Sequence, residues 1–342
     1  MFKALFAAAL PALLCAPCLA MDGLSVRGNE LLAGGKPIVL RGVAVGDPIL
    51  ARQGRPLSDY QRIARYWHAN VVRISLHPSV WKHSPHGLVL DALGREIDAA
   101  LGDGMYVILD WHTIGWPNGY YEPIAKDWTD DPADLYDSNF DLAKDFWEAA
   151  SARFGKDGRI VFELWNEPVR TKNEADAETP AWGELKPYFA QLLQIVRAHG
   201  ANVALATGNE WAYDLRGIRE DPLAGQNVAY CWHIYASTDD DDEAQWAEHL
   251  DGLEKVAPVL VTEWGFQEHT DEEFKGTAKS FGTKFARDFL EGRRLGSTAW
   301  CWHPDWTPVM LKADWKTPTP MGRFVMDYLA APEKMASGAG RN

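Results

Sequence analysis

Ile160-Val161-Phe162-Glu163-Leu164-Trp165-Asn166-Glu167-Pro168 is the stretch on which the fold turns. It is an apolar run that ends in Asn-Glu-Pro. Pro258-Val259-Leu260-Val261-Thr262-Glu263-Trp264-Gly265 repeats the arrangement, so each segment sets one glutamate at the C-terminal end of a predicted buried strand. Working outward, the same short signal recurs at Pro37–Ala44, Ala69–Leu76, Met105–Trp111, Arg159–Trp165, Asn202–Thr207, Asn227–Ile234, Ala257–Glu263 and Ser297–Trp302. Continuous β-branched runs, rather than alternation, are the mark of strands covered on both faces.

Helical periodicity fills the intervals: Ser58–Trp67, Asp91–Gly104, Asp141–Phe154, Pro180–His199, Asp240–Val256, Phe274–Arg294 and Pro320–Ala330, with a shorter segment at Asp214–Pro222. Strand–helix alternation eight times over predicts a parallel sheet with right-handed crossovers, closed as a (β/α)8 TIM barrel. No G-x-G-x-x-G follows the first strand, which argues against a dinucleotide-binding fold. Residues 21–36, with turns at Gly28-Asn29 and Gly34-Gly35, predict a hairpin that plugs the barrel bottom.

The 342 residues, 46% hydrophobic and 24% charged, suffice for one large core. The net charge of −14 argues against nucleic acid and anionic membrane as partners, since both need basic surfaces. Residues 1–20 read as a signal peptide: Lys3 is the positive start, Leu5–Leu14 is too short to span a bilayer, and Cys18-Leu19-Ala20 offers a cleavage site. The expected organisation is therefore a signal peptide (1–20), one barrel domain (21–332) and a disordered tail (333–342), exported, with no membrane span and acting as a monomer. Cys231 and Cys301 are expected to stay free, because strand parity puts them on opposite sides of the sheet. Sixteen tryptophans exceed what packing asks for and hint at ligand stacking.

Active sites of such barrels lie at the C-terminal strand ends. Here those ends carry polar or aromatic groups: Arg73 on the second strand, Asp110-Trp111-His112 on the third, Asn166-Glu167 on the fourth, His233-Ile234-Tyr235 on the sixth, Glu263 on the seventh and Trp300-Cys301-Trp302 on the eighth. From Val39 to Pro304 this set resembles glycoside hydrolase family 5, cellulase-type retaining β-glycanases with catalytic glutamates on strands four and seven. The resemblance implies Glu167 as acid/base and Glu263 as nucleophile, with Arg73, His112, Asn166, His233, Tyr235 and Trp302 as the remaining family positions, no cofactor and no metal.

Physical roles follow. Arg73 and a Tyr235 hydroxyl would keep Glu263 anionic, while burial and the Glu263 charge would keep Glu167 protonated until the glycosyl-enzyme forms. Asn166 would bind the sugar 2-OH, His112 and His233 sugar hydroxyls or carboxylates, and Trp302 would stack under the sugar, with Trp300 as the deeper competitor. Retention requires carboxyl groups about 5–5.5 Å apart, inversion about 6.5–9.5 Å. Glu163 lies four residues below Glu167 and reads as an interior ion pair, Asp110 as support, Glu210 as a helix cap. Trp116, Tyr120, Tyr121 and Trp128 after strand three, and Trp306 and Trp315 after strand eight, are candidate cleft walls, with Trp116 and Trp306 as the subsite residues; 171–179 reads as a solvated loop.

The expected function is a retaining endo-β-1,4-glucanase acting on a β-linked polysaccharide or oligosaccharide. A β-mannanase or an exo-acting β-glucosidase shares the chemistry. A metal-dependent hydrolase lacks a His-x-His at a strand end, and a non-catalytic glycan-binding barrel would be expected to lack one of the two glutamates.

Overall fold

In the computed structural model, which describes residues 21–51, 55–117, 134–169, 181–236, 242–268 and 274–331, the chain opens with three short antiparallel strands. These are β1 (Leu24–Arg27), β2 (Glu30–Ala33) and β3 (Lys36–Pro37). Gly28 and Gly34 take positive φ at the two turns, where a side chain would be strained.

Among the described residues, eight parallel strands then close into a barrel: β4 (Arg41–Gly46), β5 (Val71–Leu76), β6 (Tyr106–Trp111), β7 (Ile160–Glu163), β8 (Ala204–Ala206), β9 (Val228–Tyr235), β10 (Val259–Gly265) and β11 (Gly296–Ala299). The ring runs in chain order, with β11 pairing back onto β4. The first strand begins later than the sequence predicts, because Lys36–Pro37 pairs with β2 instead.

Alternation sorts the side chains. Val71, Ile108, Val161, Leu205, Cys231 and Leu260 fill the lower interior and meet Leu24 and Leu31 of the small sheet. Their neighbours Val72, Leu109, Phe162 and Trp232 face outward onto the helices. Each large side chain so buried contributes about 1.5–3 kcal/mol.

The described helices of six residues or more are α1 (Ser58–Tyr66), α2 (Pro78–His83), α3 (His86–Gly102), α4 (Phe140–Phe154), α5 (Trp182–Arg197), α6 (Glu243–Leu250), α7 (Ala278–Leu290) and α8 (Pro320–Ala330). Local chemistry sets their starts. Asn139 accepts from the backbone N–H of Asp141 and Leu142 before α4, and Thr277 and Ser280 form a reciprocal capping box at α7. α7 is wound with the wider π-type turns. No helix forms over Asp214–Pro222; instead Glu210, Trp211 and Ala212 turn left-handed after β8. Among the described residues no helix is long and apolar enough to cross a membrane.

One irregularity shapes the site. In β10 the pairing with β9 slips, so that Val261 faces Trp232 and Glu263 faces His233. Thr262 is the extra residue of this bulge, and the side chains of Thr262 and Glu263 both reach the barrel interior.

Candidate active site

Arg73 projects inward from β5 and is fully buried. Its guanidinium donates to both oxygens of Glu163 (2.7 and 3.0 Å), to Glu263 Oε1 (2.7 Å) and to Asn166 Oδ1 (2.7 Å), and it lies 2.9 Å from Asp110 Oδ2. Burial disfavours its charge, but the surrounding carboxylates outweigh that and hold it well above its ordinary pKa. Glu163 is the reciprocal case: burial would raise it, and Arg73, with His233 beside it, brings it down to about 2. The interior ion pair read from the sequence is present.

Glu263 is fixed from two sides, by Arg73 on Oε1 and by the Tyr235 hydroxyl, which donates to Oε2. Glu167 is held differently. β7 ends at Glu163, and the chain then bends so that Asn166 N–H reaches Trp111 O (3.1 Å) and Glu167 N–H reaches Thr113 O (3.1 Å). This bend brings the adjacent Asn166 and Glu167 both to the mouth. Glu167 Oε1 lies 2.9 Å from His233 Nδ1. Burial raises the Glu167 pKa, the His233 contact opposes it, and the Glu263 charge raises it again. One oxygen of Glu167, one of Glu263 and a His233 ring nitrogen all lie within 4.8 Å of one another.

His112 bonds Asp110 Oδ2 through Nδ1 (2.7 Å), and burial lowers its pKa well below the usual range, so the ring is neutral. Its face stacks on Trp300, with centroids 5.2 Å apart and an interplanar angle of 8°. Trp300 in turn runs nearly parallel to Trp306 (6.4 Å, 15°), which stacks on His303 at 4.1 Å. These rings form the flat wall of the site. Gly46 makes room for it: a Cβ there would sit 1.9 Å from the Trp306 ring.

Trp302 is a correction. It is 0% exposed, donates from Nε1 to Asp59 Oδ2 (2.9 Å), lies edge-on to Trp67 and is covered by Arg62 of α1. It therefore packs behind the barrel wall, and Trp300 holds the place at the mouth. Parity counted back from Trp302 fails because β11 already ends at Ala299. Trp116 is half-buried against the core, one residue past Gly115, whose N–H donates to Glu167 O (2.9 Å). Tyr120, Tyr121, Trp128, the 171–179 loop and the two termini lie outside the described residues. Cys231 and Cys301 are free and buried, but Cys301 packs with Ala44 and Trp300, not on an outer face.

The sequence reading missed Asp47 and His77. Asp47 Oδ2 accepts from His77 N–H (2.8 Å) and lies 3.1 Å from His77 Nδ1, while the His77 ring meets His112 edge-on at 4.7 Å. Parity was the available signal, since His77 continues the inward face of Arg73 and Ser75. Asp47 had none, because it sits in a loop after β4.

Residues 31–305 match the family described as cellulase (glycosyl hydrolase family 5). The cellulase CelDZ1 of Thermoanaerobacterium sp is 27% identical over 254 residues, 72% of this chain and 61% of that protein. Endoglucanase A of Evansella cellulosilytica is 24% identical over 236 residues, 68% of this chain and 42% of that protein. The chain thus spans less than two thirds of the length of these curated relatives. The structure of β-glucanase SdGluc5_26A from Saccharophagus degradans in complex with cellotetraose superposes with a TM-score of 0.78 at 26% identity, over 91% of this chain and 93% of that one. A closed parallel barrel with Glu167 just past its fourth strand and Glu263 near the end of its seventh, matched to the family over 31–305, means that this chain belongs to glycosyl hydrolase family 5.

Proposed function

We propose that the protein is a retaining endo-β-1,4-glucanase, exported and acting as a monomer. The observation that carries the reading is the facing pair of carboxylates, with oxygens of Glu167 and Glu263 within 4.8 Å and opposite environments. That closeness suits retention, for which the carboxyl groups stand about 5–5.5 Å apart, rather than inversion, for which they stand about 6.5–9.5 Å apart.

In the first step a Glu263 oxygen attacks the anomeric carbon while Glu167 gives its proton to the departing glycosidic oxygen. The C–O bond to the leaving sugar breaks and an ester to Glu263 forms. Arg73 and the Tyr235 hydroxyl each bond one Glu263 oxygen and so aim the carboxylate before attack. Asn166, its Oδ1 committed to Arg73, keeps its NH2 free to donate to a sugar 2-OH. Once the ester forms, the Glu263 charge that helped raise Glu167 is gone. Glu167 then accepts a proton from water, whose oxygen releases the sugar with its configuration retained. The stacked Trp300 and Trp306 faces suit flat, equatorially substituted glucose rings, and the names of the relatives point to the same polymer.

Product analysis on cello-, manno- and mixed-linkage oligosaccharides tests this. Internal cleavage of β-1,4-glucosyl bonds is expected; cleavage of mannan alone would overturn the glucan assignment. Hydrolysis that survives Glu263→Gln unchanged would overturn the whole reading.

A further inference from the structure

The interior holds a hydrogen-bonded chain that the two-glutamate mechanism does not use. Glu163 is ionised and takes two bonds from Arg73, so it can only accept. Thr262 must therefore donate its single hydroxyl hydrogen to Glu163 Oε1 (2.9 Å). With that hydrogen spent, Thr262 Oγ1 can only accept from His233 Nε2, 3.0 Å away, so Nε2 carries a hydrogen. At the opposite side of the ring, Nδ1 faces Glu167 Oε1 at 2.9 Å and Glu263 Oε2 at 3.9 Å. The β10 bulge makes the chain possible, since it turns Thr262 inward beside Glu263.

We propose that Glu163, acting through Thr262 and His233, is a positioning residue for Glu167: the chain keeps hydrogens on both ring nitrogens of His233, which commits Glu167 Oε1 to accepting from Nδ1 and leaves Oε2 to exchange the catalytic proton. The inference rests on the glycosidase reading of Glu167. The charges around the ring support it. His233 sits among three carboxylates, Glu163, Glu167 and Glu263, with Arg73 and the neutral His112 beyond them, Asp110 behind His112, and Tyr235 on its own strand. Burial works against a cation there, but the carboxylates outweigh it and raise His233 to about 10. A cationic His233 opposes the upward push of burial on Glu167 and so keeps that carboxyl able to serve as acid and then as base.

Thr262→Val removes the hydroxyl at nearly constant volume, and Thr262→Ser restores it. Nitrogen NMR of the histidine rings, with no substrate present, is expected to show both His233 nitrogens protonated at pH 7 in the wild type and in Thr262→Ser. In Thr262→Val, His233 should lose its proton at a pH lower by about 0.5–1 unit or more. In kinetics, the alkaline limb of kcat/KM, which reports Glu167 in the free enzyme, should move up in Thr262→Val by about half a unit, because the ring, still protonated in that range but no longer held at Nε2, donates less well to Glu167 Oε1, and should stay at the wild-type position in Thr262→Ser. A purely structural role would lower kcat without moving that limb. A wild-type His233 lacking a hydrogen on Nε2, or a Thr262→Val variant with an unaltered His233 titration, overturns the proposal. A protein whose NMR agrees but which hydrolyses no glycoside overturns the glycosidase reading and, with it, the role given to the chain.

Discussion

Replacing Arg73 by methionine keeps most of the side-chain volume and removes the guanidinium that bonds both Glu163 and Glu263, leaving His233 as their remaining cationic neighbour. In the wild type, Glu163 is brought from 4.5 to about 2 despite burial, which at 1.36 kcal/mol per pH unit corresponds to roughly 3 kcal/mol. Breaking a buried pair by removing one partner costs about 3–5 kcal/mol, in the same range. The pH dependence is the sharper test. A carboxylate with a depressed folded pKa contributes stability that is complete above its unfolded value near 4.5 and lost as pH falls toward about 2. In Arg73→Met the orphaned, buried carboxyls have raised pKa values instead, so the variant recovers stability as acid protonates them. Urea denaturation of both proteins from pH 7 to pH 4 should show a deficit of about 3 kcal/mol or more at pH 7 that narrows on acidification. A deficit that is constant with pH, or a variant as stable as the wild type, would refute the view that Arg73 holds these charges in place.

Other outcomes separate binding from packing. Glu263→Gln should reduce hydrolysis by on the order of 10⁴-fold while sugar binding, measured by calorimetry, persists; loss of both would point to a collapsed site. Trp300→Ala should lower kcat/KM by roughly 10-fold, the worth of about 1–2 kcal/mol of stacking, and, because the ring is buried against His112 and Trp306, should lower the melting temperature as well. Trp302→Phe should affect stability alone. It leaves the buried Asp59 Oδ2 without its 2.9 Å donor, costs about 1–3 kcal/mol of stability and spares KM. Gly46→Ala, at φ +67 and with its Cβ 1.9 Å from the Trp306 ring, should displace that ring and weaken substrate binding, visible as a raised KM on long oligosaccharides.

The barrel was legible because buried parallel strands announce themselves by composition, and eight of them between helical repeats leave few alternatives. Arg73, Glu167, His233, Tyr235 and Glu263 were legible from their strand positions together with the family resemblance, and the structure joins all five in one network of contacts. What stayed hidden depends on departures from regular geometry. Trp300 and Trp302 exchanged places because the alternation stops at Ala299. Thr262 gave no signal, since only a bulge turns it toward Glu163 and His233. Glu163 was placed well below the chemistry by counting residues along its strand. The long Arg73 side chain and the Thr262–His233 bridge nevertheless join it to both glutamates. Asp47 and His77 meet across two loop starts, a contact that no local pattern encodes.

The central claim is a double displacement at Glu263, and the stereochemistry of the first-formed product tests it most directly. Proton NMR of fresh cello-oligosaccharide digests, recorded before mutarotation, should show the β-anomer at the new reducing end first, with the α-anomer growing in later. The α-anomer appearing first would mean inversion and would contradict the assignment of Glu263 as nucleophile.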